Sequence, residues 1–158
     1  MPVAFLEWLE HLPFLVMIAE SGSIWGYPTI LVLHTAGFAL VVGSALIVNA
    51  RLLGMCRLAP LSAFGLLFPI MWAGFTVNAI SGFVLFAIAA TAKAAQVIFW
   101  IKLSLVATAL VVTVPIVRIV KNAGVQGAVP ARGRVLAVVS LVTWTGAIVA
   151  GRLMAYIK

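Results

Sequence analysis

The chain has 158 residues, of which 65% are hydrophobic and 8% charged, with a mean hydropathy of +1.27. An ordinary soluble domain carries roughly 25% charged residues, so a water-soluble fold is excluded and the length allows a single domain. The net charge of +7 is no nucleic-acid signal, because the basic residues are scattered among apolar runs and form no patch.

Residues 1–26 open the chain with Glu7, Glu10 and Glu20 and no basic leader, so they read as part of the mature protein. Glu7, Glu10 and His11 fall on one helical face, and Phe5, Leu6, Leu9 and Leu12 lie largely around the other. That pattern predicts a helix lying at the membrane interface. Pro13 argues against one unbroken helix through the segment.

Four apolar windows follow, at about 28–48, 66–88, 97–120 and 135–155, each long enough for the ~20 helical residues that cross a bilayer core. Short links join them, which favours antiparallel neighbours. The fold expected is an all-α integral membrane four-helix up-and-down bundle with an N-terminal interfacial helix.

The first link carries Arg51 and Arg57, the third carries Arg118, Lys121, Arg132 and Arg134, and the second carries only Lys93. The positive-inside rule then puts links one and three in the cytoplasm and both termini on the far side. In a bacterium this is a multi-pass inner-membrane protein with periplasmic termini. Trp25, Tyr27 and Tyr156 fit the aromatic belt of that outer surface.

Ionisable residues inside spans are costly and face the bundle interior or an aqueous cavity. From the helical rise, His34 lies roughly 9 Å inside the outer end of the first span, Lys102 about 8 Å inside the third, and Arg152 about 5 Å inside the fourth. These three share one depth. On the first span His34, Gly37, Val41 and Ser44 line one stripe, and on the second Gly74, Asn78, Ser81 and Gly82 line another. Small residues let helices approach closely; a cofactor plane resting against Gly37 is the other reading.

Three roles fit His34: a hydrogen bond across helices to Asn78 or a hydroxyl, ligation of haem iron or copper, or contact with a quinone head group. Lys102 and Arg152 either snorkel to the surface or hold an anionic group such as a haem propionate or lipid phosphate. For metal, His11 is the remaining histidine, and Met1, Met17 and Met154 offer thioethers suited to Cu(I) or haem iron. Their ordinary roles are a surface residue and packing. One cysteine, Cys56, gives no intrachain disulfide and no paired-cysteine motif. Without an aspartate anywhere there is no Ser-His-Asp arrangement, and no nucleotide-binding glycine motif appears.

The run "SIWGYPTILVLHTAGFALVVGSALIVNARLLG", then "AISGFVLFAIAATAKAAQVIFWIKLSLV" and the ending "SLVTWTGAIVAGRLMAYIK" resemble a group of small bacterial four-helix inner-membrane proteins over most of the chain. More distantly, the histidine early in a span, Gly82-x-x-x-Phe86 and Phe99-x-x-Lys102 are similar to the copper-resistance D-type and protoporphyrinogen-oxidase-type membrane proteins. The distant resemblance implies haem or copper handling at the outer side of the inner membrane, with His34 as the matching ligand and Lys102 as the matching lysine. Further span histidines are lacking, and Asn49-Ala50 stands where those proteins carry an acidic residue before Arg-Leu-Leu-Gly.

The function expected is a redox or cofactor-binding subunit that holds haem b or a quinone through His34, Gly37, Asn78, Lys102 and Arg152, beside a larger redox or respiratory complex or a second copy of itself. The alternatives are a non-catalytic accessory subunit of a membrane complex and, third, a metal or small-solute permease, which the lack of any acidic residue in the spans disfavours. The orientation has a direct check. Reporter fusions in the 122–130 link give a cytoplasmic signal and fusions after Tyr156 a periplasmic one; a periplasmic signal from the link reverses the assignment.

Overall fold

Lipid offers no hydrogen-bond partners, so a chain this apolar satisfies its backbone within helices. The computed structural model describes residues 3–55, 59–123 and 129–156. Met1, Cys56 and Arg57 lie outside the described residues, as do 124–128 of the third link. The helices are α1 (Val3–Glu10), α2 (Pro13–Glu20), α3 (Tyr27–Leu52), α4 (Leu67–Ala87), α5 (Ala90–Ala95), α6 (Val97–Lys121) and α7 (Ala131–Leu153), with a 3₁₀ helix over Leu61–Leu66.

Helices α3, α4, α6 and α7 are long and apolar enough to cross a membrane, α4 together with the preceding 3₁₀ turn. The expected four-helix bundle is the fold, and the chain is a multi-pass membrane protein. Its outer surface has the polarity that lipid selects: Val32 is 67% exposed on α3, Ile80 64% on α4, Val111 70% on α6 and Val142 64% on α7. Hydroxyls on this surface turn back to their own helices. Thr35 donates to the Leu31 carbonyl at 2.9 Å, Thr76 to Trp72 at 3.0 Å and Ser104 to Trp100 at 2.9 Å, which pairs these hydroxyl donors where they face lipid.

Two antiparallel pairs build the bundle: α3 lies closest to α4 and α6 to α7, while α3 also meets α7 and the 3₁₀ helix rests on α6. Val41, Val48, Leu52, Met71, Ile116 and Trp144 belong to the core between them. The seam between the pairs is held by Asn49 Nδ2 donating to Ser140 Oγ at 2.8 Å and by Phe38 meeting Trp144 edge-on at 6.1 Å between centroids. Helix α3 ends in a Schellman turn. Gly54, at φ 101°, supplies the left-handed residue, and the amides of Gly54 and Met55 return to the carbonyls of Arg51 and Ala50 at 3.1 and 3.0 Å.

The amino-terminal segment is two short helices, with Pro13 at the first turn of α2, where its missing N–H removes no helical bond. It does not lie apart from the bundle. Leu6, Leu9 and Leu15 pack against Ala87 and Ala90 at the junction of α4 and α5. Glu10 fixes this arrangement, since its Oε1 accepts from the Thr91 amide at 2.8 Å and from the Thr91 hydroxyl at 2.7 Å. One carboxylate thereby caps the first turn of α5.

The Thr91 hydroxyl, then its amide, holds the Glu10 carboxyl below the ordinary carboxylate range. A carboxyl with a lowered pKa in the docked state stabilises that state above the undocked pKa, and the gain is lost as pH falls through the lowered value. The protection of α1 amides from hydrogen–deuterium exchange, taken relative to the intrinsic rate at each pH, is therefore high at neutral pH and falls on acidification. Glu10→Gln exchanges about three- to tenfold faster at pH 7 and loses the pH response. A flat profile in the unmodified protein removes the capping role.

Candidate functional site

His34 stands two turns into α3, and the geometry of the α3–α4 contact decides what it can reach. At the crossing both helices present glycine. A Cβ on Gly37 would lie 2.8 Å from the Asn78 amide nitrogen and 2.8 Å from the Gly74 carbonyl, and one on Gly74 would lie 2.9 Å from the Gly37 carbonyl. Backbone meets backbone here. Gly37 is thus covered by α4, in its helix-packing role, and offers no open surface to a cofactor plane.

One turn towards the amino-terminal end, the His34 imidazole crosses to α4. Its Nδ1 lies 3.1 Å from the Asn78 backbone carbonyl and 3.3 Å from Ser81 Oγ. A carbonyl only accepts. Ser81 spends its own proton on the Val77 carbonyl at 2.6 Å, so it too is an acceptor towards the ring. With a proton on Nδ1 both contacts are hydrogen bonds, and neutral His34 then carries its lone pair on Nε2. Asn78 completes the latch, its Nδ2 donating to the His34 backbone carbonyl at 2.8 Å; the 3.2 Å approach of Nδ2 to Nδ1 is then a contact between two donors.

Gly82 makes room for the ring. A Cβ there would sit 2.9 Å from His34 Cε1 and 3.2 Å from Nδ1. Among the described residues no group hydrogen-bonds Nε2, and the side chain is half-buried.

Lys102 approaches from the other helix pair. Its Cδ, Cε and Nζ lie 3.5 to 3.7 Å from the position a Cβ would take on Gly151 of α7, an ordinary van der Waals distance, so the side chain packs against that helix. Lys102 is half-buried. Arg152, although next to Gly151, is exposed on α7 and shares depth but not face with Lys102.

The remaining expected ligands are dispersed. His11 is exposed in the turn after α1, with its Nδ1 2.7 Å from the Glu7 carbonyl. Met17 is 61% exposed on α2, and Met154 lies just past α7. Among the described residues no group of three His, Cys, Asp or Glu side chains gathers. The residues brought together are His34, Asn78 and Ser81, with Gly82 beneath the ring; Lys102 packs apart from them against Gly151. Gly82 was legible in sequence only as part of a small-residue stripe, because a glycine under a side chain looks the same there as one under a helix.

No family model, curated protein or solved structure matches this chain. The chemistry is read from the site itself: an imidazole oriented by a backbone carbonyl, with Nε2 free of hydrogen bonds among the described residues. A ligating histidine almost always has this arrangement, its second ring N–H held by a carbonyl or carboxylate. In ¹⁵N spectra of histidine-labelled protein, neutral His34 shows a protonated Nδ1 and a bare Nε2, and it keeps that tautomer in Ser81→Ala because the Asn78 carbonyl remains. An Nε2–H tautomer refutes the orientation.

Proposed function

We propose that the protein is a small cofactor-binding subunit of the bacterial inner membrane, in which His34 would hold haem b through Nε2 near the periplasmic side. The observation that carries this reading is the fixed Nδ1–H bond to the Asn78 carbonyl, which leaves Nε2 as a basic, pre-oriented donor atom. The donor chemistry fits, since imidazole ligates haem iron. Haem would supply one-electron chemistry; the chain supplies the oriented ligand through His34 and a cation at the rim through Lys102. Arg51, Arg118, Lys121, Arg132 and Arg134 at the opposite end of the bundle support the periplasmic placement. His34 and Lys102 also carry the distant resemblance to haem- and copper-handling membrane proteins.

A quinone is the second reading. It is favoured by the single imidazole at the site, since a quinol hydroxyl needs one acceptor at Nε2, whereas His11 is engaged with its own helix. Either cofactor suits a subunit that works beside a larger redox complex. The accessory reading rests on the closed contact of His34 with Asn78 and Ser81, which would then serve α3–α4 packing alone.

The visible spectrum separates these readings. Protein purified in mild detergent, or titrated with haem, shows a Soret band that is lost in His34→Ala and kept in His11→Ala. A preparation that is colourless and takes up no haem sinks the haem reading. Recovery only within a larger complex, with His34→Ala changing assembly alone, supports the accessory one.

A further inference from the structure

Each of the four spanning helices contributes to one small cavity in the basic half of the bundle. Asn49 of α3, Met71 of α4, Thr113 of α6 and Ser140 of α7 line it, and its volume is about 10 Å³. These side chains are deeply enclosed: Asn49 and Ser140 are 1% exposed, Met71 2% and Thr113 3%. Asn49 lies fifteen residues past His34 on α3, or about 22 Å along the axis. The cavity is therefore separate from the imidazole site.

Three of the lining side chains are polar, and the bonds they make leave part of their capacity over. Asn49 Nδ2 donates to Ser140 Oγ at 2.8 Å, which uses one proton of the amide and one lone pair of the hydroxyl. Thr113 donates to the Ala109 carbonyl of its own helix at 2.8 Å. Among the described residues these three side chains make no other hydrogen bond. Left over are the Asn49 carbonyl oxygen as an acceptor, the Ser140 hydroxyl proton as a donor and the lone pairs of Thr113 Oγ1. Enclosed polar groups ordinarily have partners, and lipid around the bundle supplies none.

We propose that this cavity is a binding site for one water molecule. The water accepts from the Ser140 hydroxyl and donates to Asn49 Oδ1 and to Thr113 Oγ1, the three bonds usual for a buried water. The volume agrees, since one water needs about 10 to 15 Å³. A cation is the poorer occupant: the three oxygens are neutral, every acid of the chain lies in the first twenty residues, and hard cations take about six oxygens or more. The water also joins what the side chains leave apart. Thr113 uses its proton within α6, so the bridge gives α6 a polar link to α3 and α7, the two helices that the Asn49–Ser140 bond connects. The site is independent of the cofactor reading.

Crystals of the full-length protein grown in a lipid mesophase, at a resolution that shows ordered water, test the site. A single density peak about 2.7 to 3.2 Å from Asn49 Oδ1, Thr113 Oγ1 and Ser140 Oγ is the result expected. A cavity without density, or one closed by the surrounding side chains, overturns the proposal. So does a peak ringed by about six oxygens at about 2.4 Å, which is a cation. Thermal unfolding in detergent adds a second measurement. Thr113→Val and Ser140→Ala alter side chains that make no hydrogen bond to one another, and each lowers the melting temperature by about 2 to 4 °C. A shared water makes the double variant melt little below the weaker single one. Shifts that add in full overturn the bridge.

Discussion

The close approach of α3 and α4 at Gly37 and Gly74 is the constraint on which the amino-terminal end of the bundle depends. In lipid, helices associate through packing and interhelical hydrogen bonds and without a hydrophobic gain, so the distance at which two backbones can lie is set by their smallest residues. A side chain at either glycine would separate the helices by more than the reach of one hydrogen bond. His34 would then no longer meet the Asn78 carbonyl, and the imidazole would lose both its orientation and its tautomer. The glycines thus act on the chemistry of a residue they do not touch.

The second pair of helices is organised around a thinner seam. Asn49 with Ser140, and Phe38 with Trp144, join α3 to α7, and the 3₁₀ helix braces α6 near the basic end.

Much of this was legible in the sequence, and the limits have physical causes. Spans are set by length and apolarity, so the four windows and the helices agree to within a few residues at most ends; the fourth helix begins at Ala131, ahead of the expected 135, because its basic first turn lowers hydropathy without breaking the helix. Pro13 marked the break between α1 and α2. The docking of α1 on α5 was not legible, since Glu10 and Thr91 are 81 residues apart and no local pattern joins them. Depth along a helix follows from counting residues, but facing follows from packing angles. Arg152 therefore shared a level with Lys102 on paper, while its neighbour Gly151 is the residue that Lys102 meets.

The hydrogen bond from His34 to α4 links packing to ligand binding. A ligand that draws on the Nε2 lone pair makes the Nδ1–H group a stronger donor, and the Asn78 carbonyl and Ser81 hydroxyl are already placed to accept it. Ligation at Nε2 would then reinforce α3–α4 association, as the carbonyl acceptors of metal-bound histidines hold their other ring N–H.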